Sequence, residues 1–298
     1  MTPEPTDHDN LRGSMLMILA MAGFALEDMF IKMLAGDWPV GQILAAVGLG
    51  GATIFAVIAK LKGERIFTRS LLSSALWLRN VGEIVGTGFF VSAVAFTPLA
   101  QATAIHQATP LATTLGAAIF LKERVGWRRL SAILVGFLGV LVVIRPGTDE
   151  FSMLSLLAVG AVIGLSMRDV TTRRVPRDVT SLQVATLGFF CVLPLGLVLL
   201  AVLPEPIVTP EPMDWLYLAG ALAIGPVGYY ALIASVRLGE IAVIMPFRYS
   251  RLAFAVVIST LVFAEPPDRW TLIGGAVIVG SGLYALWRQA KLRREGRR

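Results

Sequence analysis

The sequence predicts an all-α integral membrane protein: ten transmembrane helices built as two inverted five-helix repeats, with both termini in the cytoplasm. Three observations carry that expectation: an apolar composition, a lopsided placement of basic residues, and an internal duplication. Of 298 residues, 56% are hydrophobic and only 15% charged, and the mean hydropathy is +0.74, well outside the range of a water-soluble domain. A helix that crosses ~30 Å of hydrocarbon needs about 20 mostly apolar residues. A chain of this length therefore holds roughly ten crossings, with short loops and no second, soluble domain.

Residues 1–12 are polar, contain two prolines and lack the basic start and cleavage site of a signal peptide, so they read as a cytoplasmic tail. Charged or Pro/Gly-rich breaks then delimit apolar stretches at 13–35, 39–59, 74–96, 98–121 and 130–144. A second set follows at 152–172, 181–203, 215–236, 239–263 and 270–287, before a basic tail at 288–298. The stretch 130–144 is short for a crossing; either its helix begins nearer Trp127 or the bilayer thins beside it.

Cytoplasmic loops keep an excess of Lys and Arg. With the N-terminus inside, that side holds Arg12, Lys60, Lys62, Arg65, Arg69, Lys122, Arg124, Arg128, Arg129, Arg173, Arg174, Arg177, Arg237 and the basic tail. The opposite loops hold only Arg145 and Arg269, alongside Asp37, Asp149, Glu150, Glu205, Glu211, Asp214 and Asp268. The net charge of +6 is thus explained by orientation in a bilayer and gives no indication of nucleic acid. The sole cysteine, Cys191, lies in an apolar run, which excludes an internal disulfide and argues against a thiolate metal site.

The two halves, 13–145 and 152–287, resemble each other. Gly23, Asp28 and Lys32 match Gly164, Asp169 and Arg173 in type and spacing. Ala95, Leu99 and Glu123 match Ala234, Leu238 and Glu265, each glutamate closing an apolar stretch. A unit with an odd number of crossings enters the membrane from opposite sides in its two copies, so the repeats are inverted. Inverted repeats are a common plan of secondary transporters, which hold substrate near the midplane and alternate access by rocking.

Charges inside hydrocarbon cost ~2.5 kcal/mol or more on insertion scales and so pair, face the interior or mark a pathway. Asp28 and Lys32 are four apart, as are Asp169 and Arg173 and also Arg79 and Glu83, spacings that put opposite charges on one helix face. The first two sets are read either as paired charges snorkelling to water or as symmetric gates. Glu27 and Arg168 adjoin them. Arg248 and Arg251 sit mid-stretch with no acid within one turn, next to Pro246, which loosens a helix and frees carbonyls. Their planar forks suit a carboxylate or phosphate, unless Glu83 or another acid neutralises them. His106, beside Gln107, stands seventeen residues before Glu123 as Arg248 stands before Glu265, and it is either a proton-linked or substrate-contacting group or a structural histidine. Tyr229, Tyr230 and Tyr249, with Phe89 and Phe90, are candidate aromatic walls.

The duplicated unit, together with Ala95-Phe-Thr-Pro-Leu-Ala-Gln-Ala-Thr-Ala, Pro110, the Leu-Lys-Glu123-Arg-Val end and Pro246-Phe-Arg-Tyr, resembles the drug/metabolite transporter superfamily and, within it, the EamA-type permeases. That resemblance spans residue 11 to about residue 287. It implies a permease of the bacterial inner membrane for amino acids, vitamins or nucleoside-like cofactors, working by proton coupling or exchange. Relatives often carry an Arg-Gly pair in the second span, where this chain has Val47-Gly48, so any substrate contact from that arginine is absent.

No metalloprotease, nucleophile-elbow or metal-ligand spacing is present, so an enzyme is not expected, and no cofactor, metal or obligate protein partner is implied. The expected function is secondary transport of a small polar metabolite, first an amino acid moving outward. The alternative is uptake of a vitamin or nucleoside-like cofactor, and the competing class is a membrane receptor or scaffold. The expected substrate contacts are Arg248, Arg251, His106, Tyr249, Arg79 and Glu83, with Asp28, Lys32, Asp169 and Arg173 as gate or coupling residues.

Overall fold

The computed structural model describes residues 7–66, 68–120, 126–148, 151–172, 174–176, 178–203, 205–238 and 241–295. Lys122, Glu123, Arg124, Asp149, Glu150, Arg173 and Arg177, singled out above, lie outside the described residues, as do both chain ends. Regular structure among the described residues is helical: α1 (Asp7–Leu34), α2 (Val40–Leu61), α3 (Ser74–Phe96), α4 (Leu99–His106), α5 (Thr109–Phe120) and α6 (Trp127–Ile144). Then follow α7 (Ser155–Thr172), α8 (Ser181–Val202), α9 (Pro212–Leu238), α10 (Ile241–Ile244), α11 (Ser250–Leu261) and α12 (Arg269–Glu295).

Among the described residues, six helices are long and apolar enough to cross a membrane: α1, α2, α7, α8, α9 and α12. The chain is a multi-pass membrane protein. The other stretches depart from that standard for local reasons. Helix α3 has the length, but Arg79, Asn80 and Glu83 dilute its apolar character. Helix α6 gains a turn by starting at Trp127, the first of the two alternatives above. The stretch 98–121, expected as one helix, breaks after His106, because Gln107 and Ala108 turn before Pro110 enters the first turn of α5, where its missing N–H costs nothing. Around Pro246 the chain tightens into a 3-10 turn, Met245–Tyr249, between α10 and α11.

The main packing partners are α1 with α9, α2 with α8, α3 with α7 and α6 with α12, and α4 lies against α11. Bare backbone makes these approaches close. A Cβ on Gly48 of α2 would lie 2.7 Å from the Leu193 nitrogen of α8, and one on Gly86 of α3 would lie 2.7 Å from the Leu165 nitrogen of α7. Among apolar helices such small-residue contacts replace the hydrophobic drive that water gives a soluble core.

Two connecting segments are strapped across the bundle. Gln42 donates to the Val208 carbonyl at 2.8 Å and accepts from its N–H at 2.9 Å. Gln183 donates to the Arg65 carbonyl at 2.6 Å and accepts from the Thr180 N–H, closing a capping box at the start of α8. Asp214, expected as a simple loop acid, is instead 4% exposed and accepts from the Trp38 indole at 3.0 Å and the Glu211 N–H at 2.8 Å.

Gly48→Val should destabilise the detergent-solubilised protein by about 1–3 kcal/mol, the usual range for overpacking, as read by thermal or SDS unfolding. Gly280→Ala, where an added Cβ meets no atom within 4 Å, should leave stability unchanged.

Candidate functional site

The charges within the helices form two clusters and a centre between them. In the first cluster Arg251 of α11 grips Asp28 of α1, its Nη2 lying 2.8 and 2.6 Å from the two carboxylate oxygens and its Nε 3.1 Å from one of them. Toward the C-terminal end of α1, Lys32 donates to the Thr97 carbonyl at 2.8 Å and pairs with Glu265 at 2.8 Å. The spacing of Asp28 and Lys32 thus does not make an internal pair. Each finds a partner more than 220 residues away, because the helix face they share looks toward α11 and the chain after it.

The second cluster bears out the pairing of Arg79 with Glu83, at 2.5 Å. Glu83 also accepts from Arg168 of α7 at 3.2 Å and from Thr87 at 3.0 Å, and Arg168 pairs with its neighbour Asp169 at 2.8 Å. Glu83 therefore does not neutralise Arg248 or Arg251. Arg251 is neutralised by Asp28 instead.

Between the clusters, the two helix interruptions meet. The Gln107 amide, in the turn after α4, donates to the carbonyls of Arg248 and Tyr249 at 3.3 and 3.1 Å. Thr109 caps the His106 carbonyl at 2.6 Å. Planar groups cluster here: the Arg251 guanidinium lies 5.4 Å from the Phe24 ring and 5.2 Å from Phe90, whose ring is tilted at 46° to that of His106 with centroids 4.6 Å apart. The His106 Nδ1 is buried without a partner, and Arg168, Arg248 and Arg251 all lie within electrostatic reach of the ring.

Arg248 differs from the other arginines of the site. Its guanidinium has no hydrogen bond or ion pair among the described residues, and its electrostatic neighbours are Asp169, Arg168, Tyr249 and Arg251. Asp28 satisfies Arg251, and Glu83 and Asp169 satisfy Arg168, so Arg248 is the arginine of the centre left without a direct counter-ion among the described residues.

The aromatic expectations divide. Phe90 and Tyr249 are buried, at 8% and 6% exposure, whereas Tyr230 and Phe89 point outward at 67% and 41% and form no wall. The Tyr249 hydroxyl is buried against Gly282 of α12 with no partner. Tyr229 instead borders a cleft of about 280 Å³ at the α7–α8 turn, with Thr172, Val175, Pro176, Val179, Ser181 and Val184.

Sequence reasoning noted Glu27 only as a neighbour of Asp28, and it missed Gln107 as the link between the broken helices. The available signal for Gln107 was an amide between His106 and Pro110, in mid-stretch.

The EamA-like transporter family model matches residues 11–145 and again 152–287. The chain belongs to the EamA-like transporter family. The riboflavin transporter of Vibrio cholerae serotype O1 is 27% identical over 97% of both chains. The S-adenosylmethionine uptake transporter of Rickettsia felis is 25% identical over 72% of both. The pseudopaline exporter of Pseudomonas aeruginosa is 21% identical over 90% of this chain and 93% of its own. A solved crystal structure, 22% identical, matches the fold with a TM-score of 0.63 over 95% of this chain and 98% of its own. As an EamA-like protein the chain is a transporter for small molecules, and its site is read in that light.

Asp28→Asn should destabilise this EamA-like protein by about 3–5 kcal/mol, since it strands a buried guanidinium. Joint replacement, Asp28→Leu with Arg251→Met, should recover most of the loss in the same melting assay.

Proposed function

We propose that this transporter takes up a flat, ring-bearing vitamin or nucleoside-like cofactor across the bacterial inner membrane by alternating access. The observation that carries the reading is the cluster of Phe24, Arg251, Phe90 and His106 beside Arg248, which has no ion pair among the described residues. A planar ring finds aromatic partners in such a cluster, and a guanidinium fork takes a carboxylate, phosphate or carbonyl edge. Relatives named for riboflavin and for S-adenosylmethionine uptake support a substrate of this kind. Outward movement of an amino acid, the first expectation from the sequence, keeps only the carboxylate-binding capacity of Arg248 and the more distant exporter relative as support.

In this reading ten crossings, with α4–α5 and α10–α11 each counted as one interrupted span, form two inverted five-helix units at 13–145 and 152–287. Two observations support the inversion. A two-fold that carries each span onto the fifth one after it turns the α1–α9 contact into α7–α3 and returns α2–α8, α6–α12 and α4–α11 to themselves. Gln42 and Gln183, separated by the same 141 residues as Asp28 and Asp169, strap opposite connecting segments in the same way.

Substrate contacts are then Arg248, Arg251, His106 and Tyr249, with Arg79 and Glu83 fixing Arg168 behind them. Asp28 and Lys32 close one end by joining α1 to α11 and its following loop, and Asp169 with Arg173 serves the other. The cleft beside Tyr229 is the approach from the second end.

In proteoliposomes, Arg248→Ala should lower uptake of a riboflavin or S-adenosylmethionine probe about tenfold or more, the loss of one charge-assisted contact, and leave the melting midpoint unchanged. Equal uptake by the variant would move the site elsewhere, and absence of flux in the wild type for both these probes and for amino acids would remove the carrier reading. With both ends cytoplasmic, fluorescent-protein fusions at either terminus should glow and alkaline phosphatase fusions should stay inactive.

A further inference from the structure

We propose that Glu27 of α1 is the binding site for a coupling cation, a proton or a sodium ion. This inference rests on the carrier reading above. The other acids of the charge clusters are satisfied by named bases: Asp28 by Arg251, Glu83 by Arg79 and Arg168, Asp169 by Arg168, and Glu265 by Lys32. Glu27, partly buried in the same region, has no hydrogen bond or ion pair among the described residues. A lone carboxylate among apolar helices is costly unless a cation joins it.

The charged neighbours of Glu27 are Asp28 on the same helix and Arg251 from α11, whose Nε and Nη2 are held by Asp28 and which makes no hydrogen bond to Glu27. Helix α9, packed against this face, presents Gly225: a Cβ there would lie 2.7 Å from the Glu27 carboxyl carbon. The next residue, Pro226, lies inside α9 and lacks an N–H, so the Leu222 carbonyl, one turn earlier, loses its helical donor. A carboxylate without a base, set against a helix that carries a freed carbonyl, suits a small hard cation or a proton.

The equivalent contact in the other half sharpens the contrast. Where Glu27 sits on α1 against α9, Arg168 sits on α7 against α3 and meets Glu83. One interface carries its own counter-charge and the other takes it from solution. Loading the cation discharges the α1–α9 interface, where Gly23 and Gly228 already bring the backbones together, a Cβ on Gly23 reaching within 3.2 Å of the Gly228 Cα. Ion occupancy thereby acts on the same helix that carries the Asp28–Arg251 closure.

The test is the melting midpoint of purified protein, without substrate, in two series: falling pH in choline chloride, and choline exchanged for sodium at fixed pH. The wild type should gain stability in one series, which identifies the ion. Glu27→Gln should lose that gain, and Glu27→Asp, which keeps the carboxylate if the glutamine variant fails to fold, should retain it with a shifted midpoint. A Glu27→Gln protein with the full wild-type response, or a wild type indifferent to both ions, would overturn the assignment. Because this readout needs no transported substrate, it stands or fails apart from the flux assays that test the carrier reading.

Discussion

Hydrocarbon offers no hydrogen-bond partner, so a helix that breaks inside the bundle must find one in another protein segment. That constraint organises the centre of this molecule. Two spans are interrupted, and the Gln107 amide at one interruption closes the carbonyls exposed at the other. Once the breaks are joined, the residues around them are fixed: His106 ends α4, Arg248 lies in the 3-10 turn, and Arg251 begins the helix that follows. The charge clusters on either side obey the same rule, and a charge left without a partner stands out as a place for something absent from the polypeptide.

The architecture was legible because it follows from composition and period. Apolar stretches bounded by charged loops located most helix ends to within three residues, although α1 begins six residues earlier and α12 runs eight further than expected, and the short stretch before Ile144 already hinted at a start near Trp127. The break after His106 was not legible, since Pro110 is compatible both with a kinked continuous helix and with the first turn of a new one. Local spacing served well for Arg79 and Glu83, whose partners lie on one helix. It failed for Asp28 and Lys32, because tertiary contacts with Arg251 and Glu265 outcompete the local pair, and such contacts leave no mark in a single sequence. The central arginines were found from the sequence, but which of them is free was decided by geometry alone.

The halves differ where function would need a difference. Gln42 and Gln183 keep a shared structural duty, and α2 and α8 meet through Gly41 and Gly196, each lying against the backbone of the other. The equivalent positions Glu27 and Arg168, by contrast, carry opposite charges, and only one of them is compensated. Duplication supplies the frame, and the halves diverge at a few polar positions within it.

The cross-pairing of helices also bears on how the chain is made. Every long helix of the first half has its main partner in the second, so the N-terminal half emerges from the ribosome before its packing surfaces exist. Asp28 is synthesised 223 residues ahead of Arg251, an interval of roughly 10–45 s at ordinary elongation rates. During that time its carboxylate needs water, lipid headgroups or the insertion machinery as a substitute partner. The charge on Asp28 is answered only when the ninth apolar stretch arrives and the open face of α6 only when the tenth does, so truncations before those points leave the first half incomplete.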